Sequence, residues 1–266
     1  MFRRTSTFLG LAATLSIALG ACQSASPSAS PSAPALTDPK EIVTAALTST
    51  EAAKSVHLDM TLDGTVSVAL PIAGGAATPV NLTGSTASAD VDFAKPAAKA
   101  TFAVPSMFNL AGELIAIDGK SYVKTSLTGP QYQESAGSGA PVDSSTVGRV
   151  SGTLSDILFK EGVQLTNGAD VACGSQQCYT VMANVTSDQL GTTASASLAG
   201  LPVDLTGASL ALTLRVEKGA PNHLAGVNAV VTMKDGTKLT ADITASKWDQ
   251  PVTITAPPAD QVKPAS

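Results

Sequence analysis

The sequence predicts one antiparallel α+β domain, because strand patterns follow one another in hairpin order and few segments have helical periodicity. From Val56 to Leu70 the apolar residues occupy even positions with polar residues between them, which is typical of a long strand with one wet face. Asp118-Gly119 between two apolar runs is a strong hairpin signal. With 266 residues, 44% of them apolar and 14% charged, the chain is long enough to bury a substantial core.

The first 21 residues form a short apolar segment that ends just before a cysteine. A basic pair, Arg3-Arg4, precedes the uncharged run 5–18, which is too short for a membrane span of roughly 20 residues. Leu19-Gly20-Ala21-Cys22 matches the lipobox pattern, in which the thiol is diacylated and the signal is cleaved in front of it. We therefore expect a signal peptide over residues 1–21 and a lipidated Cys22 that anchors the chain on the extracytoplasmic face of the cell membrane. The alternative is an ordinary secretory signal in which Cys22 is incidental.

A segment of almost only Ser, Ala and Pro follows Cys22 and continues to about Leu36. Its apolar surface is too small to offset the conformational entropy lost on ordering, so we expect an extended, mobile tether. The composition therefore divides the mature chain into the lipidated Cys22 and tether over residues 22–37, one folded domain over residues 38–258 and a C-terminal tail over residues 259–266.

A helix over residues 39–54 is predicted to open the domain. Asp38 is a suitable N-cap, Pro39 suits the first helical position, and Glu41 supports the first turn. Apolar residues then recur at helical spacing from Ile42 to Ala53. The apolar face of this helix needs a partner, and the strands that follow can supply it.

Period-two patterns and turn residues predict further strands after the one at residues 56–70. These strands are residues 83–93, 98–104, the hairpin 113–124, 170–173, 178–185, 210–216, 224–233, 238–246 and 252–254. Residues 128–148 are rich in Gly, Ser and Pro and predict a long loop, and short helices are expected at 153–159 and 187–190. The prediction is therefore about ten strands with a long first helix and one or two short ones.

Cys173 and Cys178 are an even pair once Cys22 is assigned to lipid, and an exported protein meets an oxidising compartment. We predict a disulfide between them. The rival interpretation is a metal or redox site. However, Cys-x4-Cys with no second pair and no nearby histidine fits neither a zinc knuckle nor a Cys-x-x-Cys motif.

Charge and motif content argue against several classes of function. The formal net charge is -5, and removal of Arg3 and Arg4 with the signal makes it -7, so the sequence lacks the clustered cations that nucleic-acid binding requires. His57 and His223 are the only histidines, and the sequence contains no Gly-x-Ser-x-Gly elbow or metal-ligand cluster. We therefore expect neither an enzyme nor a cofactor, and we place His57 on the polar face of its strand.

Several of these features together resemble the LppX/LprAFG family of actinobacterial envelope lipoproteins. They are the lipobox, the Ser/Pro/Ala tether, the Asp-Pro-x-Glu helix start, the strand entry Lys54-Ser55-Val56-His57-Leu58, the hairpin Ile117-Asp118-Gly119-Lys120-Ser121-Tyr122-Val123, and the ending Ser246-Lys247-Trp248 followed by Val252-Thr253-Ile254. The resemblance implies a strongly curved antiparallel sheet, a half-barrel, wrapped around the helices with an apolar cavity between them, like the fold of periplasmic lipoprotein carriers. It also implies binding of acylated lipids or glycolipids and their movement through the envelope, with an envelope transporter as a candidate partner.

The candidates to line that cavity are apolar residues of the first strands: Val56, Leu58, Met60, Leu62, Val91, Phe93, Phe102 and Val104. Only 4% of the residues are aromatic, so small side chains must build the interior, and these either pack closely or leave space for a ligand. For each candidate, plain core packing is the alternative. For the whole protein, the alternative is an envelope scaffold or adhesion lipoprotein with a solid core and no lipid transport.

Overall fold

One large sheet dominates the described part of the chain, in which fourteen strands are joined by hydrogen bonds. The structure is a computed structural model and describes residues 35–69, 77–136, 144–190 and 207–263. The predicted signal peptide, Cys22, most of the predicted tether and Leu70 lie outside the described residues.

In the described segments, runs of consecutive strands are preceded or separated by three α-helices. In chain order the strands are β1 Ser55–Ala69, β2 Ala77–Asn81, β3 Ser85–Asp92, β4 Ala97–Val104, β5 Leu110–Ile117, β6 Lys120–Thr125, β7 Tyr132–Ala136, β8 Gln164–Asn167, β9 Val171–Cys173, β10 Gln176–Val185, β11 Ser209–Glu217, β12 Leu224–Thr232, β13 Lys238–Ser246 and β14 Val262–Lys263. The α-helices are α1 Pro39–Ala52, α2 Ser144–Leu158 and α3 Ser187–Leu190, and a short 3₁₀ helix, Ala259–Gln261, precedes β14.

The strand order across the sheet is β14-β7-β6-β5-β4-β3-β1-β13-β12-β11-β10-β8. In addition, β2 pairs with the second half of β1, and β9 pairs with the start of β10. Neighbouring strands are antiparallel except β14 and β7, which are parallel. The end strands of this order, β14 and β8, do not pair with each other, so the sheet is curved but unclosed.

Most of the predicted strands are confirmed, with ends that differ by a few residues. The Asp118-Gly119 turn is also confirmed, and φ is positive at both residues, 52° and 72°. The predicted long loop at residues 128–148 is wrong, because this stretch contains β7 and the beginning of α2. The predicted short helix at 153–159 is the end of α2, whose 15 residues match the 14 of α1 in length. Strands β2, β7, β8 and β14 have no counterpart among the predicted strands.

Strand pairing assigns each strand residue to one of two faces of the sheet, since paired residues point to the same side. Met60 in β1 pairs with Ala87 in β3 and with Ile243 in β13. The register continues from these strands to β10 on one side and to β6 on the other. The helix α1 packs against the face that carries Met60. We call this side the inner face and the opposite side the outer face.

The main core lies between α1 and the inner face of β10–β12. As predicted, Asp38 caps the helix, because the Lys40 amide donates a 2.7 Å hydrogen bond to Asp38 Oδ1, and Pro39 occupies the first helical position. The buried residues of α1 and α2 join those of the strands in one cluster. It includes Ile42, Val43, Ala46, Leu47, Leu158, Val181, Ala183, Val185, Leu212, Leu214, Val216 and Val231.

A smaller apolar cluster lies on the outer face, near the β14 edge of the sheet. Ile115, Tyr122 and Tyr132 are buried there, and Ile254 and Val262 pack against them. The prediction of a strand at residues 252–254 is therefore wrong, because this segment covers apolar side chains on the outer face instead of pairing with a strand. The sheet then ends in β14, within the residues that the sequence assigns to a C-terminal tail.

Candidate functional site on the inner face

The inner face carries no charged side chain in strands β1, β3–β6 and β8–β13. Alternation along these strands turns their charged residues and His57 outward. On the outer face lie His57, Asp59, Asp63, Asp90, Asp92, Lys99, Glu113, Lys120, Lys124, Arg215, Glu217, Lys238 and Asp242. The inner face therefore suits an apolar ligand, since an ion bound there would lose its hydration without gaining a partner.

The described helices cover one half of this face. Helix α1 packs chiefly against β8 and β10–β12, α2 against α1 and β10, and α3 against β11. On the other half, which β13, β1 and β3–β6 form, many large apolar side chains are half-buried: Leu58, Met60, Leu62, Phe102, Val104, Leu114, Val123 and Ile243. A contiguous apolar surface in this state is typical of a binding site.

A shallow groove runs along β3 on this half of the inner face. Its floor consists of the small residues Ser85, Ala87 and Ala89. Larger residues of β1 border the whole floor, namely Leu58, Met60 and Leu62. On the β4 side, Phe102 and Val104 border Ala87 and Ser85, whereas Ala89 pairs with the small residue Ala100. We call the three floor residues and these five larger residues the apolar groove. Because a strand residue rises about 3.3 Å, the floor from Ser85 to Ala89 is about 13 Å long.

The ring of Phe102 continues the groove wall across Gly112 of the neighbouring strand. A Cβ atom on Gly112 would lie 2.5 Å from Cζ of Phe102 and 2.7 Å from the carbonyl oxygen of Lys124. The absence of a side chain at Gly112 therefore lets the aromatic ring lie against the sheet, an arrangement also seen in designed sheets where an aromatic residue covers a strand glycine.

All eight residues that the sequence proposes as cavity candidates lie on the inner face, but they differ in burial. Val56 and Val91 are 2% and 5% exposed, and they pack in a cluster with Ala98 and Ala245. Trp248 packs against the same cluster. These two valines are therefore core residues in the described structure.

The remaining candidates are half-buried. Leu58 and Phe93 pack at the edge of the cluster that contains Val56. Four candidates belong to none of the described core clusters: Met60, Leu62, Phe102 and Val104. The apolar groove thus has one end near the packed cluster of Val56, and its opposite end lies at Ser85, between Leu62 and Val104.

A buried polar atom without a partner lies at this opposite end. Ser85 is 3% exposed, and its Oγ has no hydrogen-bond partner. The sequence interpretation missed Ser85, Ala87 and Ala89 because it selected large apolar residues. The alternation of small residues that leads to Val91 was the signal that could have found them.

The outer face has a different chemistry, which Glu113 illustrates. Lys124 Nζ lies 2.8 Å from Glu113 Oε1, and the Tyr132 hydroxyl donates a 2.7 Å hydrogen bond to Glu113 Oε2. The hydrogen bond from Lys124 has the largest effect and lowers the pKa of Glu113, and the hydrogen bond from Tyr132 lowers it further. The Glu113 carboxylate in turn raises the pKa of Lys124. Burial, followed by the hydrogen bond to Glu113, raises the pKa of Tyr132. A pocket of about 640 Å³ opens beside Glu113 and Lys124.

The two histidines do not meet in one site. His57 lies on the outer face, as predicted, with Nδ1 2.7 Å from Asp90 Oδ1 and Nε2 3.2 Å from Asp59 Oδ2. His223 is buried and stacks on Trp248, with ring centroids 5.0 Å apart. It borders a second pocket of about 600 Å³ with a mixed polar and apolar lining.

The disulfide between Cys173 and Cys178 is confirmed, and it links β9 to β10. Within residues 35–69, 77–136, 144–190 and 207–263, no group of three or more His, Cys, Asp or Glu side chains is placed to hold a metal ion. The helices of these same segments are all too short or too polar to cross a bilayer.

A curved, unclosed antiparallel sheet with helices packed against one face defines the fold class of this chain. Two solved structures of mycobacterial proteins share it. LprF from Mycobacterium bovis matches with a TM-score of 0.52 and 18% identity, over 82% of this chain and 96% of that chain. The lipoprotein LppX from Mycobacterium tuberculosis matches with a TM-score of 0.50 and 15% identity, over 82% of this chain and 100% of that chain. The likeness is one of fold, and it agrees with the resemblance to the LppX/LprAFG family.

A third solved structure, a LolA superfamily protein from Nitrosomonas europaea, matches over 86% of this chain and 99% of that chain. Its identity is 7%, and its TM-score of 0.26 is too low to indicate a common fold. No family model matches the sequence, and no curated protein matches it.

Proposed function

We propose that this chain is a membrane-anchored lipoprotein without enzymatic activity. It binds acylated lipids or glycolipids in an apolar cavity at the inner face and carries or presents them within the cell envelope. The observation that supports this proposal most directly is the inner face itself, which carries no charged side chain in β1, β3–β6 and β8–β13 and is only half covered by the described helices. The fold shared with LppX, a lipoprotein, supports the same assignment.

The groove contributes to binding through the burial of methylene groups. Each buried CH2 is worth about 0.8 kcal/mol, so ten buried methylenes of one acyl chain contribute about 8 kcal/mol, which corresponds to micromolar affinity before the entropic costs of association. Met60, Leu62, Phe102 and Val104 make these contacts, because they are half-buried and belong to none of the described core clusters. Val56 and Val91 instead belong to the packed cluster near one end of the groove.

The proposed anchor is Cys22, diacylated after cleavage of residues 1–21, with the tether over residues 22–37. The anchor holds the domain on the extracytoplasmic face of the cell membrane, next to the lipids it binds, and an envelope transporter is the proposed partner for further transfer. Stable attachment needs more than one acyl chain. Cys22→Ser is therefore expected to release a folded, lipid-competent domain from the membrane fraction, whereas the control Ser24→Ala stays attached. Membrane attachment of the Cys22→Ser chain would contradict the proposed anchor.

Native mass spectrometry of the gently purified full-length protein tests lipid binding directly. We expect one or more acyl-containing species that leave on denaturation. Ala87→Leu fills the floor of the groove with apolar bulk and is expected to reduce the bound lipid, whereas Ser88→Leu, the next residue on the outer face, leaves it unchanged. Absence of any bound acyl species would favour the alternative of an envelope scaffold or adhesion lipoprotein with a solid core. If lipid is bound but its amount is unchanged in Ala87→Leu, the groove is not the binding site.

A further inference from the structure

Two loops at the Ser85 end of the apolar groove expose large apolar side chains to solvent. Phe108, in the loop between β4 and β5, is 91% exposed, and Leu127, in the loop between β6 and β7, is 67% exposed. Val104, which borders the groove, is the last residue of β4, so the first loop begins where the groove ends. Neither loop, residues 105–109 and 126–131, contains a charged residue.

Hydrogen bonds join Ser126, the first residue of the second loop, to the start of β5 and to the first loop. The amide of Ser126 donates to the carbonyl of Ala111 at 2.8 Å, and the amide of Ala111 donates to Ser126 Oγ at 3.2 Å. The hydroxyl of Ser126 also donates to the carbonyl of Asn109 at 3.4 Å. Because Asn109 follows Phe108 and Ser126 precedes Leu127, the loops present both apolar side chains from one connected surface.

The backbone at Phe108 is in an unfavourable conformation. Phe108 has a φ of 55° and Asn109 a φ of 53°, and this left-handed region is uncommon for any non-glycine residue and especially for a bulky one. Strained backbone of this kind concentrates at functional sites. An exposed phenylalanine gains nothing from this strain in water, so the arrangement favours a partner that buries the ring.

We propose that these two loops are a membrane-docking surface, in which Phe108 and Leu127 insert into the interfacial region of a lipid bilayer. The proposal rests on the proposed function, because docking would place the Ser85 end of the groove next to the lipids that it takes up. An apolar pair in uncharged loops matches the chemistry of that region, where aromatic and aliphatic side chains are buried without the need for an ionic partner. The chain is acidic, with a formal net charge of -5, so attraction to anionic headgroups does not drive the contact.

Insertion can be measured with a tryptophan at the loop and bromine on the acyl chains. The mature chain, residues 22–266, carrying Cys22→Ser, which removes the anchor, is mixed with vesicles of dibrominated phosphatidylcholine, and the signal of Trp248 in this chain is the baseline. Phe108→Trp is expected to show added fluorescence that the bromines quench. Val171→Trp, at the other side of the sheet in β9, serves as the matched control and is expected to stay unquenched. Equal behaviour of the two variants, or no quenching at residue 108, would overturn the proposal.

Partitioning gives the second measurement. In the same Cys22→Ser chain, Phe108→Ser with Leu127→Ser is expected to weaken binding to phosphatidylcholine vesicles by about tenfold or more, because most of the inserted apolar area is lost. The control pair Val150→Ser and Val171→Ser removes exposed apolar side chains elsewhere and leaves partitioning unchanged. Added salt is expected to have no effect. Unchanged partitioning of the loop variant would contradict the proposal, as would binding of the loops to an envelope protein but not to vesicles.

These experiments separate docking from cargo binding. Bromine quenching at residue 108 requires only a bilayer, whereas the mass spectrum of the purified protein requires only an occupied groove. A chain that holds lipid without quenching would contradict docking alone, and quenching without any bound lipid would contradict the carrier function alone.

Discussion

Substitution of Gly112 by alanine tests how closely Phe102 packs over the sheet. The added Cβ would lie 2.5 Å from Phe102 Cζ, whereas nonbonded carbon atoms prefer about 3.5–4.0 Å, so the ring must move by about 1 Å or more. The carbonyl of Lys124, 2.7 Å from the same Cβ, cannot move as freely because it belongs to the β6 backbone. Overpacking of this kind costs about 1–3 kcal/mol, and we expect Gly112→Ala to lower the free energy of unfolding by that amount.

Urea unfolding followed by far-ultraviolet circular dichroism measures this change, and an unaltered m-value would show that the unfolded state is unaffected. A double-mutant cycle with Phe102→Ala assigns the cause. Because Phe102→Ala removes the ring but not the Lys124 carbonyl, Gly112→Ala is expected to cost less in that background while retaining part of its effect. A displaced ring also enters the groove, so Gly112→Ala is expected to bind less lipid than the wild type.

The control is Gly152→Ala in α2, where an added Cβ meets no atom within 4 Å outside the local helix backbone. Alanine is the better helix former by up to about 1 kcal/mol, so this variant is expected to be as stable as the wild type or more stable. The proposed packing of Phe102 over Gly112 would be refuted if Gly112→Ala cost only a few tenths of a kcal/mol, or if its cost were the same with and without the Phe102 ring.

Three further predictions concern stability. The pKa of Glu113 is lowered in the folded state, so its contribution to the free energy of unfolding is complete above about pH 4.3 and is lost as the pH falls through the folded pKa. The difference in stability between wild type and Glu113→Gln, measured by urea unfolding, should therefore be present at pH 7 and shrink in acid. Ser85→Ala is expected to raise the free energy of unfolding by about 1 kcal/mol by removing a buried, unpaired hydroxyl, and a loss of stability would reveal a hydrogen-bond partner. The Cys173–Cys178 disulfide closes only a short loop, so its reduction should lower the free energy of unfolding by at most about 2 kcal/mol in the same assay. A loss of about 4 kcal/mol would contradict this explanation by loop entropy.

The strands that could be predicted are those in which alternation is continuous. β1 has apolar residues at every second position from Val56 to Leu62, and its bounds in the structure match the prediction closely. Both residues of the Asp118-Gly119 turn adopt positive φ, which the sequence chemistry favours. These features depend on local interactions, which are visible in a single stretch of sequence.

The elements that could not be predicted depend on contacts with distant residues. β8 has one half-buried side chain, Leu165, among exposed ones, and it forms a strand because it pairs with β10 at the edge of the sheet. The alternation at residues 252–254 resembles a strand, yet Ile254 packs on the outer face against Tyr122 and its neighbours. A short alternating segment can form either a paired strand or an unpaired covering segment, so the availability of a pairing partner determines which of the two forms.

The candidate site shows the same division. Alternation within β1 and β4 predicts that Met60 and Leu62 share a face, and that Phe102 and Val104 share a face, but it does not relate the two strands to each other. The pairing of Met60 with Ala87, and of Ala87 with Phe102, brings these residues to one groove. The small residues of its floor alternate along β3, and this places them on one face, but the alternation does not distinguish a groove floor from a packed core.

Sequence by itself determined the antiparallel α+β class, the capped first helix, the disulfide and the separation of apolar from charged residues along each strand, since all of these follow from spacing along the chain. Tertiary structure decided which apolar residues are covered. Val56 and Met60 occupy equivalent positions of one alternating run, yet the first is buried in a cluster with Ala98 and Ala245 while the second is half-buried beside the groove floor. Burial depends on which element packs above a residue, and that is set by the order of the strands and the placement of the helices.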